Sequence, residues 1–174
     1  MDALTRIKRS LKRDKAWHRF VEISKGAFRP EFAGFVEEMQ KLHKTRLVRQ
    51  LATALPTGKN LAEAGLKDQA VRSRCTEICM DVMANANYLS LAIANMRRHI
   101  LFQYDDVLVD SGVTRVNEKK ATVDNLFNTA QGRLQALNDI LDVADLVIRD
   151  IDQAGYALKN STAALELAVR REGV

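Results

Sequence analysis

A stripe of uncharged residues, spaced alternately by three and four, runs through the last third of this chain. From Val123 to Val169 the steps land on Val123, Phe127, Ala130, Leu134, Leu137, Leu141, Ala144, Ile148, Ile151, Gly155, Leu158, Thr162, Leu165 and Val169. Only Gly155 and Thr162 are not apolar. An α-helix turns every ~3.6 residues, so a stripe held at a period of about 3.5 stays on one face only by supercoiling around partners. The pattern therefore predicts one long helix from about Thr114 to Arg170 whose face other helices must cover.

The register of that helix carries more information. With Phe127 at heptad position a and Ala130 at d, the g positions are Leu126, Arg133, Ile140, Val147 and Ala154. The e positions include Asp124, Asp145, Asp152 and Glu166. An apolar face of g, a and d suits a bundle of three or more helices better than a two-stranded zipper. Near its middle, Leu141, Val143, Ala144, Leu146, Val147 and Ile148 cover most of the circumference. Two readings follow with equal weight: a second subunit covers this girdle, or the N-terminal helices fold back over it.

The remainder also reads as helix. Two prolines and eight glycines in 174 residues leave few natural breaks. Residues 3–25 form a first helix, with Leu4, Ile7 and Leu11 on one face and an offset patch of Trp17, Phe20, Val21 and Ile23. A second runs from Pro30, suited to a first helical turn, to about Leu55, with Phe32, Phe35, Val36, Met39, Leu42, Leu47, Val48 and Leu51 at amphipathic spacing. Pro56-Thr57-Gly58 breaks the chain, and Asn60 with Glu63 resembles a capping box before Gly65. A third helix runs from about Leu66 to Val107 on the stripe Val71, Cys75, Ile78, Val82, Ala86, Leu89, Ile93, Met96, Ile100, Tyr104 and Val107. Asp110-Ser111-Gly112 makes the turn into the last helix. The expected fold is all-α: an elongated antiparallel helical bundle or hairpin with coiled-coil character and four main helices. Residues 1–58 form a basic helical pair, and residues 59–174 a long antiparallel hairpin.

Charge is unevenly placed. Residues 1–50 hold 13 Lys/Arg against 6 Asp/Glu, whereas residues 51–174 hold 14 against 16. A basic N-terminal third implies contact with something acidic: nucleic acid, an anionic membrane surface or an acidic protein face. The candidate contacts are Lys8, Arg9, Lys12, Arg13, Lys15, Trp17 and Arg19, with a second cluster at Lys41, Lys44, Arg46 and Arg49. Cations neutralise phosphates, and an aromatic face stacks on bases or sits at a lipid interface. The bland alternative packs Trp17 and Phe20 into the core and leaves the charges as solvated surface.

Signatures of catalysis are few. Gly58-Lys59-Asn60 resembles the end of a phosphate-binding loop, but Thr53 stands where a glycine is needed and Asn60 where Ser or Thr is needed. The residues three before His18, His43 and His99 are Lys15, Gln40 and Met96, which excludes the Glu-x-x-His ligands of di-iron bundles. Neither a His-Glu-x-x-His zinc motif nor a Gly-x-Ser-x-Gly elbow occurs. Asp105, Asp106 and Asp110 form the nearest carboxylate cluster, most simply a solvated helix end. His18 and His43 sit among cations, and His99 flanks the third helix's core. Cys75 and Cys79, one turn apart, read as reduced core thiols. No cofactor, metal or small-molecule substrate is expected.

The sequence thus reads as a non-enzymatic structural component that homo-oligomerises through long helices, such as part of a phage virion or ejection apparatus. The expected bundle seam is Leu134, Leu137, Leu141, Val143, Leu146, Val147, Ile148, Ile151, Leu158 and Leu165. The alternative is a nucleic-acid-binding accessory protein using the basic N-terminal helices. Peripheral membrane attachment through the first helix is a third. No secretory signal or membrane span is visible, so the expected location is the cytoplasm or the inside of a particle.

Overall fold

The computed structural model describes residues 2–52 and 58–172, and the side chains of Val48, Leu51, Ala52, Leu165, Ala168 and Glu172 lie outside the described set. Among the described residues every regular element is helical: α1 (Ala3–Leu11), α2 (Lys15–Ala27), α3 (Phe32–Ala52), α4 (Gly58–Gln103), α5 (Asp105–Val109), α6 (Val116–Asp124) and α7 (Asn128–Glu172). No helix among them is long and apolar enough to cross a membrane. Residues form two compact units. One comprises Met1–Pro30 with Met83–Asp139, the other Glu31–Val82 with Ile140–Val174. Each unit therefore draws on sequence from both sides of residue 58.

In the first unit, the expected single helix over residues 3–25 is two helices. Asp14 separates them by accepting hydrogen bonds from the backbone N–H groups of Ala16 at 2.7 Å and Trp17 at 3.4 Å. An Asp that caps the next helix stops the previous one, which explains why the two apolar patches are offset. Ala3, Ile7 and Leu11 are buried, and α1 packs on α5 and α6. Phe20 is buried, and its ring meets that of Phe127 edge-on at 5.3 Å, while Trp17 lies 6.1 Å from Phe127. The Arg97 guanidinium stands 6.0 Å over the same ring.

Phe127 also marks the main departure from expectation. The predicted unbroken helix from Thr114 to Arg170 is interrupted at residues 125–127, between α6 and α7. Here the backbone tightens: Leu126 N–H donates to the Val123 carbonyl and Phe127 N–H to the Asp124 carbonyl, both at 3.0 Å. Neither Pro nor Gly stands there. The force holding the break is tertiary, because Phe127 is anchored among Trp17, Phe20 and Arg97. Val123 before the break and Phe127 within it are both fully buried.

Helix α4 begins at Gly58, ahead of the expected start near Leu66, so Asn60 lies inside it and Gly65 does not divide it. The expected Pro56-Thr57-Gly58 break and the end of the second helix near Leu55 fall largely outside the described residues. The predicted stripe is buried from Val71 through Ile100. Beyond Tyr104 a short break into α5 rotates the register, and Leu108 is buried instead of Val107. The predicted turn closes α5: Gly112 adopts φ +84°, with Val113 N–H bonded to the Leu108 carbonyl at 3.0 Å and Gly112 N–H to the Val109 carbonyl at 2.9 Å. This pair is a Schellman motif, whose left-handed position favours glycine.

In the second unit, ion pairs order the helices. Arg74 grips Glu38 with Nε and Nη2 at 2.7 and 3.1 Å, and Arg46 Nε lies 3.1 Å from Asp68. Rising numbers on α3 meet falling numbers on α4, so these segments run antiparallel. Arg72 and Asp152 tie the same part of α4 to α7 at 2.8 and 3.4 Å. The buried line of α7 here is Ile140, Ala144, Val147 and Ile151, positions d and g. The a positions Leu141 and Ile148 are only half-buried. The expected a/d seam is therefore shifted towards g. The cause lies in α3, whose His43 and Arg46 reach Asp150 and so cover the g side of α7 more fully.

Candidate functional site

The predicted basic residues divide by environment. Lys8, Arg9, Lys12, Arg13, Lys15 and Arg19 are all exposed on α1, α2 and the link between them. Trp17 is half-buried, with its ring against those of Phe20 and Phe127. Lys41 and Lys44 are exposed on α3 in the other unit. Arg49 is half-buried, its Nε donating to the Thr45 carbonyl at 3.3 Å. Arg46 is withdrawn altogether. It is 1% exposed, its Nη2 donates to the Asp150 carbonyl at 3.0 Å, and its Nη1 donates to the Asp150 carboxylate. With Asp68 beside it, its charge is neutralised inside the fold, which corrects its assignment as a partner contact.

Two carboxylates gather groups that sequence reading treats as isolated. Asp150 Oδ2 accepts from Arg46 and from His43 Nε2 at 3.0 Å. Burial pushes its carboxyl up, but the hydrogen bonds from His43 and Arg46 prevail and hold it below the ordinary range. The adjoining cavity, about 530 Å³, is lined by Arg46, Asp68, Asp150, Leu61 and Leu158 among others. Arg46 pairs there with both acids, although its buried Nε, 3.1 Å from Asp68, makes no hydrogen bond.

Asp14 is the second hub. Its Oδ1 caps α2, while Oδ2 accepts from His99 Nε2 at 2.8 Å and from the Tyr104 hydroxyl at 2.7 Å. Its side chain is 10% exposed. Burial opposes its ionisation, yet the bonds from His99, Tyr104 and the two backbone N–H groups lower its pKa to about 2. Burial and the carboxylate raise that of Tyr104 to about 12. Four donors on one carboxylate make a structural latch. The third histidine, His18, donates from Nε2 to the Lys12 carbonyl at 2.9 Å.

The other expected features are soon placed. Asp105 binds Lys119, and among the described residues no group of three or more His, Cys, Asp or Glu side chains is set to hold a metal. Cys75 and Cys79 are free thiols whose pKa values burial pushes up, so they are protonated and unreactive at neutral pH.

The seam residues are also unequal. Leu137, Val147 and Ile151 are buried; Leu134, Leu141, Val143, Ile148 and Leu158 are half-buried; Leu146 is 63% exposed; and the Leu165 side chain lies outside the described set. Past Leu158, every described side chain of α7 is exposed, including Leu167 and Val169. This stretch and the start of α4 flank a groove of about 1020 Å³ lined by Leu61, Ala62, Leu158, Ala163 and Val169, with Lys159 and Glu166 at its sides. No protein-family model, curated protein or solved structure matches this chain.

Proposed function

We propose that this chain is a non-enzymatic assembly component that self-associates through the C-terminal part of α7 and docks an acidic partner with its basic N-terminal helices. In this reading the long helices form an antiparallel bundle with coiled-coil character, and the assembly is a multi-subunit particle or conduit. The single observation that carries it is the open end of α7. The heptad stripe continues to Val169, yet from Lys159 to Arg171 no described side chain is covered, and Val169 is 69% exposed. A coiled-coil stripe without a mate is unfavourable in water.

A second copy fits this stretch by charge. In an antiparallel pairing, Leu158 at d meets Val169 at a of the second copy, and Thr162 at a meets the d position at 165. That register sets Lys159 against Glu166 of the second copy, both at e, and symmetry repeats the pair. Like charges would face each other in neither place. The measurement is molar mass by light scattering across protein concentration. Mass should rise towards a multiple of 19.5 kDa, and Val169→Asp should abolish the rise. Lys159→Glu should weaken association about tenfold through two repelling pairs, and adding Glu166→Lys should restore it. A strict monomer at every concentration refutes self-association.

A further inference from the structure

The acidic partner in that reading is left unspecified, and the first unit narrows it. Between Ala3 and Val21 the chain carries one carboxylate, Asp14, against seven Lys and Arg side chains. The fold turns that carboxylate inward, where His99, Tyr104 and two backbone N–H groups occupy it. Of the seven cations, Arg6 donates to the Asp110 carbonyl at 3.1 Å. The other six, Lys8, Arg9, Lys12, Arg13, Lys15 and Arg19, are exposed, and among the described residues none has a carboxylate within ion-pair distance. Elsewhere Arg46, Arg72, Arg74, Arg97, Lys119 and Arg149 are all matched to acids. Helix α5, against which α1 packs, carries Asp105, taken by Lys119, and Asp106, which is not within ion-pair distance of the six cations.

The six free cations also strain one another. Lys15 and Arg19 are four residues apart within α2, while Lys8 and Arg9 end α1 and Lys12 and Arg13 form the link beyond it. Like charges at that spacing on a helix repel, and Lys15 stands in the first turn of α2, where the helix dipole favours an anion. An external polyanion relieves both. The apolar groups beneath decide which polyanion. Ala3, Ile7, Leu11 and Phe20 are at most 7% exposed, and the half-buried Trp17 ring lies tilted against that of Phe20. An interfacial membrane helix needs its apolar side free to enter the acyl boundary. Here that side is largely spent on the core, and the exposed side is mostly cationic, with Glu22 of α2 paired to Lys25.

We infer that the outer face of α1 and α2 binds the phosphate backbone of nucleic acid, without reading its sequence. This deepens the docking half of the function proposed above and is independent of the self-association half.

The test is fluorescence anisotropy of the full chain with random-sequence 30-mer duplex and single-stranded DNA at 50 to 200 mM salt. Six neutralised phosphates predict a log–log salt slope near −5 for duplex and near −4 for single strands, so duplex affinity should fall roughly 1000-fold over this range. Lys8→Gln with Lys12→Gln should reduce the slope by about two, and Lys8→Arg with Lys12→Arg should preserve it. Far-ultraviolet circular dichroism checks that each variant is folded. Lys41→Gln with Lys44→Gln, in the other unit, should leave the slope unchanged. No binding at 50 mM salt overturns the inference, as does binding whose slope ignores the Lys8 and Lys12 changes. Flotation on phosphatidylserine vesicles without DNA binding reassigns the face to membrane and also overturns it. Light scattering on the same samples separates the two halves: lost DNA binding with the oligomer intact refutes this inference alone.

Discussion

Replacing Asp14 by alanine removes four accepted hydrogen bonds in one step. The cap on α2 is worth about 1 kcal/mol. The bonds from Tyr104 and His99 go to an ionised, nearly buried acceptor and are worth about 1 kcal/mol each or somewhat more. The combined loss should be roughly 3 kcal/mol. The titration of the same carboxylate supplies a check. Its pKa falls from 3.8 to about 2 in the folded chain, which corresponds to about 2 kcal/mol at neutral pH. A depressed folded pKa means that this contribution is present above pH ~4 and is lost as pH falls towards 2. Tyr104, raised to about 12 by burial and by its bond to Asp14, reports in part the same hydrogen bond from its other end. Its contribution holds below pH ~10 and is lost as pH rises towards 12, and it is not counted twice. Urea unfolding at pH 5 and pH 2 should show the wild type losing about 2 kcal/mol more than Asp14→Ala between these conditions. Asp14→Asn, which keeps a good cap, should cost less than alanine at pH 7 and should share alanine's smaller acid response. If Asp14→Ala melts within ~0.5 kcal/mol of wild type, or acid weakens both proteins equally, the latch does not stabilise the fold.

Two further predictions concern the same stability scale. Arg46→Ala should cost about 3 kcal/mol in urea unfolding, because it leaves Asp68 without its cation and Asp150 with His43 alone; an unchanged midpoint would dismiss the buried network. Gly112→Ala should cost about 1–2 kcal/mol in thermal melts, since φ +84° is strained for any residue with a Cβ, whereas alanine at Gly65 inside α4 should not destabilise.

Much of the helical content was legible because it depends on local repetition. The stripe from Val71 to Ile100 lies on one face at helical spacing, and burial follows it residue by residue. The Asp110-Ser111-Gly112 turn was legible too, since its chemistry is contained in three neighbours. The heptad of α7 named the right helix but not the buried side. Which of a, d and g is covered depends on where α3 approaches, and that is set by Arg46 and His43 meeting Asp150, residues 104 and 107 positions away. The break at residues 125–127 carried no local signal, because an aromatic cluster holds it. Among the candidate contacts, the exposed cations of α1 and α2 could be named in advance, but the withdrawal of Arg46 could not.

Sequence alone determined that the chain is helical, that its N-terminal third is basic, and that the long terminal helix bears an apolar stripe. These are properties of spacing and composition, and they hold whatever the chain packs against. Tertiary structure alone decided which charges face outward. It turned Asp14 inward to His99, 85 positions away, and buried Arg46 between two acids, leaving six cations of α1, α2 and their link with no acid in ion-pair reach among the described residues. Such outcomes depend on contacts between distant residues, where desolvation and hydrogen bonding outweigh any local preference.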